Sequence, residues 1–299
     1  RFARTFHAER TGNFLQGKEI QKYGTGAQWY GSEQQELQVR LSLWLPLWLW
    51  LRVIRMIQIK GKTMWPFKKR YLLQESGILQ GRTDWHSHIL PGVDDGVQTV
   101  EEALQILAEY ERLGIREVWL TPHIMEDIPN TTALLRERFI ELQALYIGPI
   151  ILHLAAENML DNLFEERLEK KDLLPLGENG DHLLVETSYF SPPIGLSNIL
   201  FRIKAKGYHL VLAHPERYVY MGESEYCQLK GLNVKFQLNL FSLSGAYGAR
   251  IRKKAEWLMK NGFYDLLGSD VHRFMILKEA IYKQKLPQIG HEQVFKTNL

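Results

Sequence analysis

The stretch RTDWHSHILPGVDDGVQTVEEALQILAEYERLGIREVWLT, residues 82–121, reads in succession as strand, loop, helix and strand. A short run from Arg82 to His86 comes first. A helical pattern over Val100 to Leu113 follows, opened by Thr99 and Glu102 at capping-box spacing and closed by Gly114. Arg116 to Thr121 is the second apolar run, and two strands joined through a helix predict a parallel sheet. Outward from this unit the alternation recurs. Further runs lie near Ile150 to Ala155, His182 to Glu186, His209 to Ala213, Val234 to Asn239 and Tyr264 to Gly268, seven in all. Helical patterns fall near Ala133 to Tyr146, Met159 to Lys170, Leu196 to Lys206 and Ala249 to Asn261. Seven such strands in one domain predict an α/β closed barrel in preference to an open doubly wound sheet. No G-x-G-x-x-G or P-loop follows the first strand, which argues against nucleotide-binding versions of the open sheet.

The 299 residues are 45% hydrophobic and 24% charged, enough for a substantial core. A single cysteine, Cys227, excludes a disulfide framework within the chain and any Cys-rich zinc module, and makes a cytoplasmic setting the default. The net charge of +3 gives no reason to expect nucleic acid. Residues 1–63 stand apart: they hold ten Lys/Arg against four Glu, and four of the eight Trp, without helical or strand periodicity. Their apolar run, Leu41 to Leu51, is broken by Pro46 and too short for a bilayer span, which needs about 18 residues or more. With Trp inside it and Arg52 and Arg55 beside it, it suits a membrane-surface anchor. The preferred reading makes Met64 the start of the working protein, so that 1–63 form an irregular N-terminal extension and 64–299 the catalytic domain.

In α/β barrels the active site is built from the C-terminal ends of the strands. Those ends are His86-Ser87-His88, with Asp94-Asp95 shortly after, then Thr121-Pro122-His123, Ala156-Glu157, Glu186, His214-Pro215-Glu216-Arg217, Asn239 and Ser269-Asp270-Val271-His272. Five of the ten histidines would converge on one mouth. Spacing by two puts His86 and His88 on one side of an extended strand, within reach of one cation, and Asp270 with His272 repeats the device. Glu157 and Glu186 add oxygen ligands able to bridge ions, so the site reads as polynuclear. His153, His182 and His209 lie within or at the start of strands and are assigned to structure; His7 and His291 to solvent. Arg217, three residues after His214, suits bidentate binding of a phosphate, the alternative being an ion pair with Glu216 or Glu223. Cations plus an arginine favour phosphoester hydrolysis. Cysteine-based phosphatase chemistry is excluded by CQLKGLN from Cys227, which lacks the phosphate-binding arginine, and no G-x-S-x-G elbow supports acyl transfer.

The motifs DWHSHILPGVDDG (84–96), LTPH (120–123), AAEN (155–158), LVETSYFSPP (184–193), AHPERY (213–218), QLNLFSLSG (237–245) and GSDVH (268–272) resemble the PHP (polymerase and histidinol phosphatase) superfamily. Within it the chain is similar to the bacterial metal-dependent protein-tyrosine phosphatases of capsule and exopolysaccharide systems, over residues 64 to about 285. The resemblance implies a distorted (β/α)7 barrel whose trinuclear centre, usually manganese with iron or zinc as alternatives, hydrolyses phosphotyrosine through a metal-bound hydroxide. The implied ligands are His86, His88, Asp95, His123, Glu157, Glu186, His214, Asp270 and His272. Arg217 would bind the phosphate and Asp94 would support the ligands. The implied partner is the tail of a tyrosine kinase controlling polysaccharide export. Asn158 stands where members often carry Tyr, which would alter the wall of the site; Leu145 to Pro149 looks short, and the tail after His272 looks cut or diverged.

Two alternatives remain open. One is a PHP phosphoesterase acting on histidinol phosphate or another small phosphomonoester; the other is a non-catalytic, metal-stabilised scaffold. Membrane contact is expected only through the N-terminal run, and an oligomer is compatible with the sequence.

Overall fold

The computed structural model describes residues 70–287 and Leu299. The extension 1–63, its apolar run, and His7 and His291 lie outside the described residues. In chain order the elements are β1 (Arg70–Leu72), α1 (Leu73–Ser76), β2 (Thr83–Ser87), α2 (Val100–Leu113), β3 (Glu117–Leu120), β4 (His123–Ile124), α3 (Thr132–Leu145), β5 (Ile151–Leu154), β6 (Glu157–Met159), α4 (Asn162–Lys170), β7 (His182–Glu186), α5 (Leu196–Ala205), β8 (His209–Ala213), a 3₁₀ turn (Pro215–Arg217), α6 (Glu223–Gly231), β9 (Lys235–Asn239), α7 (Leu240–Ser244), α8 (Ala249–Lys260), β10 (Leu266–Gly268), α9 (Phe274–Lys283) and β11 (Lys285–Pro287).

Six strands form one parallel sheet in the order β10-β9-β8-β7-β6-β4, and three form another, β2-β3-β5. The sheets are continuous in the chain, since β4 resumes β3 after Thr121-Pro122 and β6 resumes β5 after Ala155-Ala156. They also meet at the other side, where Asp270 N–H donates to His86 O at 2.8 Å, His88 N–H donates to Val271 O at 3.0 Å, and Ser87 bridges Val271 in parallel. The result is a mixed α/β fold with a curled parallel sheet. β1 pairs antiparallel with β11.

Alternation along the strands decides what the curl encloses. Leu183, Val185, Leu210 and Leu212 join the main core under the helices, whereas Leu184, Val211, Ala155 and Ala213 form a smaller cluster with Trp119 and Leu266 on the concave side. Glu186 follows Leu184 by two residues and Glu157 follows Ala155 by two, so both carboxylates share the concave parity at the strand ends.

The helices obey their local signals. Thr99 caps α2, its Oγ1 accepting from Glu102 N–H at 3.2 Å, and Gly114 closes it at φ 79°, a conformation glycine adopts without a Cβ penalty. Ile106, Leu107, Tyr110 and Leu113 are buried in the main core, the three aliphatic ones contributing about 1.5–3 kcal/mol each. The helix expected from Met159 begins instead at Asn162, because Asp161 caps it and Met159 remains in β6. Four helices were not anticipated, the short α1 and α7 together with α6 and α9. In α6 the apolar periodicity is weak, with only Tyr226 and Leu229 buried. α9 follows soon after His272: Leu277, Ala280 and Ile281 are buried, and Phe274 N–H donates to Glu102 on α2 at 2.9 Å.

Candidate metal centre

The structure brings all nine expected ligands to one end of the sheet. His86, His88, Glu157 and Asp270 form a fully buried group; His123, Glu157 and Glu186 form a second; His88, Asp95, His123 and His272 form a third on the solvent side. His214 stands beside them, its Nε2 3.0 Å from Glu157 Oε1 and 3.9 Å from Glu186 Oε2. Strand ends place most of these side chains. Asp270 and His214 sit at positive φ, 53° and 33°, a region non-glycine residues seldom occupy and one often retained at functional sites. Gly268 is demanded by close approach: a Cβ there would lie 2.5 Å from His86 Cβ and 2.4 Å from Gln237 Nε2.

Hydrogen bonds behind the imidazoles decide what they offer. His86 Nδ1 faces Gln237 Oε1 at 2.9 Å, and the amide is oriented by His214 N–H donating to the same oxygen and by its own Nε2 donating to Leu238 O. His88 Nδ1 donates to Asp94 Oδ2 at 2.8 Å. Both Nδ1 atoms therefore carry the proton in the neutral rings, and both Nε2 atoms present lone pairs. Those two nitrogens lie 3.1 Å apart, 3.1 and 3.2 Å from Glu157 Oε2 and 3.4 Å each from Asp270 Oδ1. Four electron-pair donors facing one another in a dry site repel unless positive charge sits among them. The donor set thus fits a divalent cation. Three buried atoms of the cluster, His123 Nδ1, Glu157 Oε2 and His214 Nδ1, also lack a directed hydrogen bond.

Electrostatics agree with that fit. Burial works to lower the His86 pKa, but Glu157 and Asp270 outweigh it and raise it to about 9; His88 is likewise raised. Burial would raise Glu157 and Asp270, yet the surrounding histidines hold both well below the usual carboxylate range. The raised histidines favour their protonated forms where no cation is present, and a cation bound among them would displace those protons. Asp95, the most exposed of the set, is drawn down to about 2 chiefly by its hydrogen bond with His272.

Asp94 supports the others rather than facing the opening. It holds His88 and accepts from His123 N–H and Gly96 N–H, each at 2.9 Å. Arg217 does not pair with Glu216 or Glu223. Its Nη1 donates to Asp270 Oδ2 at 2.8 Å, and its guanidinium lies between the rings of Tyr189 and Tyr247, 4.5 and 4.6 Å from their centroids. Glu216 turns inward, accepting from Asn239 N–H and Tyr264 OH. Asn158 is buried with its amide donating to Ala156 O and Leu184 O, a tie between strands. His153 pairs with Glu117 and His182 with Asp181, away from the cluster.

Sequence reasoning missed Gln237, Tyr189, Tyr247 and the role of Asn239, whose Nδ2 donates to Asp270 Oδ2 at 2.7 Å. The available signal was spacing: Gln237 and Asn239 lie two apart at a strand end, as His86 and His88 do. Gln237→Leu is expected to weaken cation binding 10- to 100-fold, as outer-shell changes do. Titration of the stripped variant would read this, and excess cation should restore its activity.

The sequence model of the family described as capsular polysaccharide synthesis, CpsB/CapC, matches residues 82–282. The tyrosine-protein phosphatase YwqE of Bacillus subtilis (strain 168) is 29% identical over 209 residues, covering 67% of this chain and 82% of that protein. The tyrosine-protein phosphatase CpsB of Streptococcus pneumoniae is 30% identical over 205 residues, 63% of this chain and 82% of that one. A solved chain from the crystal structures of YwqE from Bacillus subtilis and CpsB from Streptococcus pneumoniae, described as unique metal-dependent tyrosine phosphatases, aligns with a TM-score of 0.59 at 27% identity. It covers 64% of this chain and 79% of that chain.

Proposed function

The chain belongs to the CpsB/CapC family of capsular polysaccharide synthesis, and we propose on that premise that it is a metal-dependent phosphotyrosine-protein phosphatase. The observation that carries the proposal is the convergence of His86, His88, Glu157 and Asp270 on one point beside a clamped Arg217. We read the two sheets, with their meeting at His86 and Asp270, as one distorted (β/α)7 barrel of the PHP type, lying within a catalytic domain proposed to span 64–299. Its substrate in the cell is proposed to be a bacterial tyrosine kinase controlling capsule or exopolysaccharide synthesis. The cytoplasm is the proposed location, on the strength of the single cysteine; among the described residues no helix is long and apolar enough to cross a membrane.

The proposed ligands are His86, His88, Asp95, His123, Glu157, Glu186, His214, Asp270 and His272, enough donors for three cations, manganese by preference. Bound divalent cations supply Lewis acidity toward phosphoryl oxygens and lower the pKa of coordinated water. The residues do the rest. Gln237 and Asp94 keep the protons on the Nδ1 atoms of His86 and His88, fixing ring orientation. Glu157 touches four of the histidines and holds the buried groups in register. Arg217, prevented from swinging by two aromatic faces and Asp270, offers its remaining N–H groups to the phosphate. Arg217→Lys loses the fork and the stacking. It is expected to raise KM for a phosphotyrosine peptide about tenfold with cation content unchanged; an unchanged KM would remove Arg217 from substrate binding.

The direct test is hydrolysis of a phosphotyrosine peptide and of histidinol phosphate by stripped protein with manganese, zinc or no metal restored. Activity on the peptide supports the proposal. Activity on histidinol phosphate alone moves the chain to small phosphomonoesters, and activity on neither leaves a scaffold. Deletion of residues 1–63 is expected to leave peptide hydrolysis intact; loss of folded protein would make them structural.

A further inference from the structure

One surface beside the centre is apolar, exposed and unused by the catalytic arrangement. The loop after β7, residues 187–195, leaves the strand end that carries Glu186. Its Tyr189 packs on Arg217, yet the next residue, Phe190, is 78% exposed, and Ile194 is fully exposed at 101%. Isolated apolar residues on a surface need no explanation, but these share one short loop at the rim of the site. Pro192 and Pro193 stiffen the loop between them. It is laced to the segment after β8: Val219 N–H donates to Tyr189 O at 2.8 Å, and Thr187 Oγ1 meets Tyr220 OH at 2.7 Å. Val219, 36% exposed, extends the apolar surface.

A positive edge continues it. Arg250, in the first turn of α8, donates from Nη2 to Val219 O at 3.2 Å and has no carboxylate partner among the described residues. That turn contains no acidic residue.

Resting on the phosphatase reading, we propose that Phe190, Ile194, Val219 and Arg250 form the docking ledge for the polypeptide flanking the phosphotyrosine, selecting an apolar side chain with an acidic one beside it. The ledge is continuous with the phosphate-binding residue, because Tyr189 joins Phe190 to Arg217 and Val219 lies two residues beyond Arg217. A phosphotyrosine reaching the centre brings its own backbone to the rim, where a small phosphate ester has no atoms. Because the loop is tied to the segment after β8 through Thr187 and Tyr189 and carries Pro192 and Pro193, docking costs little ordering. The ledge therefore acts on KM for peptides and leaves small esters indifferent.

The test compares the metal-loaded wild type with Phe190→Ser/Ile194→Ser on three substrates. These are p-nitrophenyl phosphate, a phosphotyrosine peptide flanked by Leu and Glu, and the same peptide flanked by Ser and Gly. Both residues are exposed, so folding is not at stake. The wild type is expected to prefer the Leu/Glu peptide about tenfold in kcat/KM, a size typical of apolar contacts in recognition. The double variant should lose that preference through KM while hydrolysing p-nitrophenyl phosphate at the wild-type rate. Arg250→Ala should lose the part of the preference that depends on Glu. A preference that survives in the double variant overturns the proposal, as does a parallel fall on the small ester, or a change of oligomeric state on substitution, which would make the ledge a contact between copies. Failure of the wild type on every ester would instead defeat the phosphatase reading itself.

Discussion

Asp270→Asn is expected to leave the fold intact and to lower phosphotyrosine hydrolysis by at least about a thousandfold, the scale on which preorganised charge acts in active sites. Asparagine tolerates the positive φ of 53° at this position and nearly matches aspartate in shape, so the change is almost purely one of charge. Three things depend on that charge. Asp270 Oδ1 faces the Nε2 atoms of His86 and His88 at 3.4 Å, Oδ2 accepts from Arg217 at 2.8 Å, and the same oxygen accepts from Asn239 at 2.7 Å. On the proposed ligand set, losing the charge would remove a cation ligand and free the guanidinium from its anchor together. Removing one partner of a buried ion pair also costs roughly 3–5 kcal/mol, so a lower melting temperature should accompany the lost activity. Circular dichroism, metal content and peptide turnover on one preparation would check it. Turnover near wild type would remove Asp270 from the centre.

The second large effect is the dependence of cation-induced stabilisation on pH. In the stripped protein the His86 pKa is raised from its ordinary 6.5 to about 9, because Glu157 and Asp270 outweigh the burial that would lower it. A folded-state pKa above the unfolded one gives stability that is complete below about pH 6.5 and lost as pH rises through 9. The loss from His86 is of the order of 3 kcal/mol, at about 1.4 kcal/mol per unit of pKa, and His88 shifts in the same direction. Cations bound at the proposed ligands would replace those protons and keep the carboxylates compensated. The gain in melting temperature on adding manganese should therefore grow steadily from pH 6.5 to 9, and metal uptake should release protons. Calorimetry in buffers of different ionisation enthalpy measures the release. A gain independent of pH would show that the histidines are not where the cations bind.

Much of this was legible along the chain. His86 and His88, Asp270 and His272, and Glu157 and Glu186 could be singled out because strand periodicity assigns side chains to faces, and the ends of parallel strands in an α/β fold share one mouth. That reasoning needs only local geometry. Thr99, Glu102 and Gly114 bounded α2 for the same reason, since capping is settled within a few residues. The third and second strands broke the local rule. β3 and β5 stop and resume as β4 and β6, which places His123 opposite Glu157 in the register of the short pair. Nothing in the apolar runs announces such an interruption.

What the amino-acid sequence by itself determined was the alternation of strands and helices, the face each strand-end residue occupies, and the chemical type of the site. Only the tertiary structure decided which partners those residues have. Arg217 is anchored by Asp270, 53 positions later in the chain, and by Tyr189 and Tyr247, instead of by the carboxylates near it in sequence. Gln237 orients His86 from 151 positions away. Such contacts depend on the curl of the sheet, which brings β2 beside the residues that follow β10. The hydrogen-bond capacity of a side chain is written in its residue type, while the identity of its partner is a property of chain closure across long separations, to which periodicity is blind.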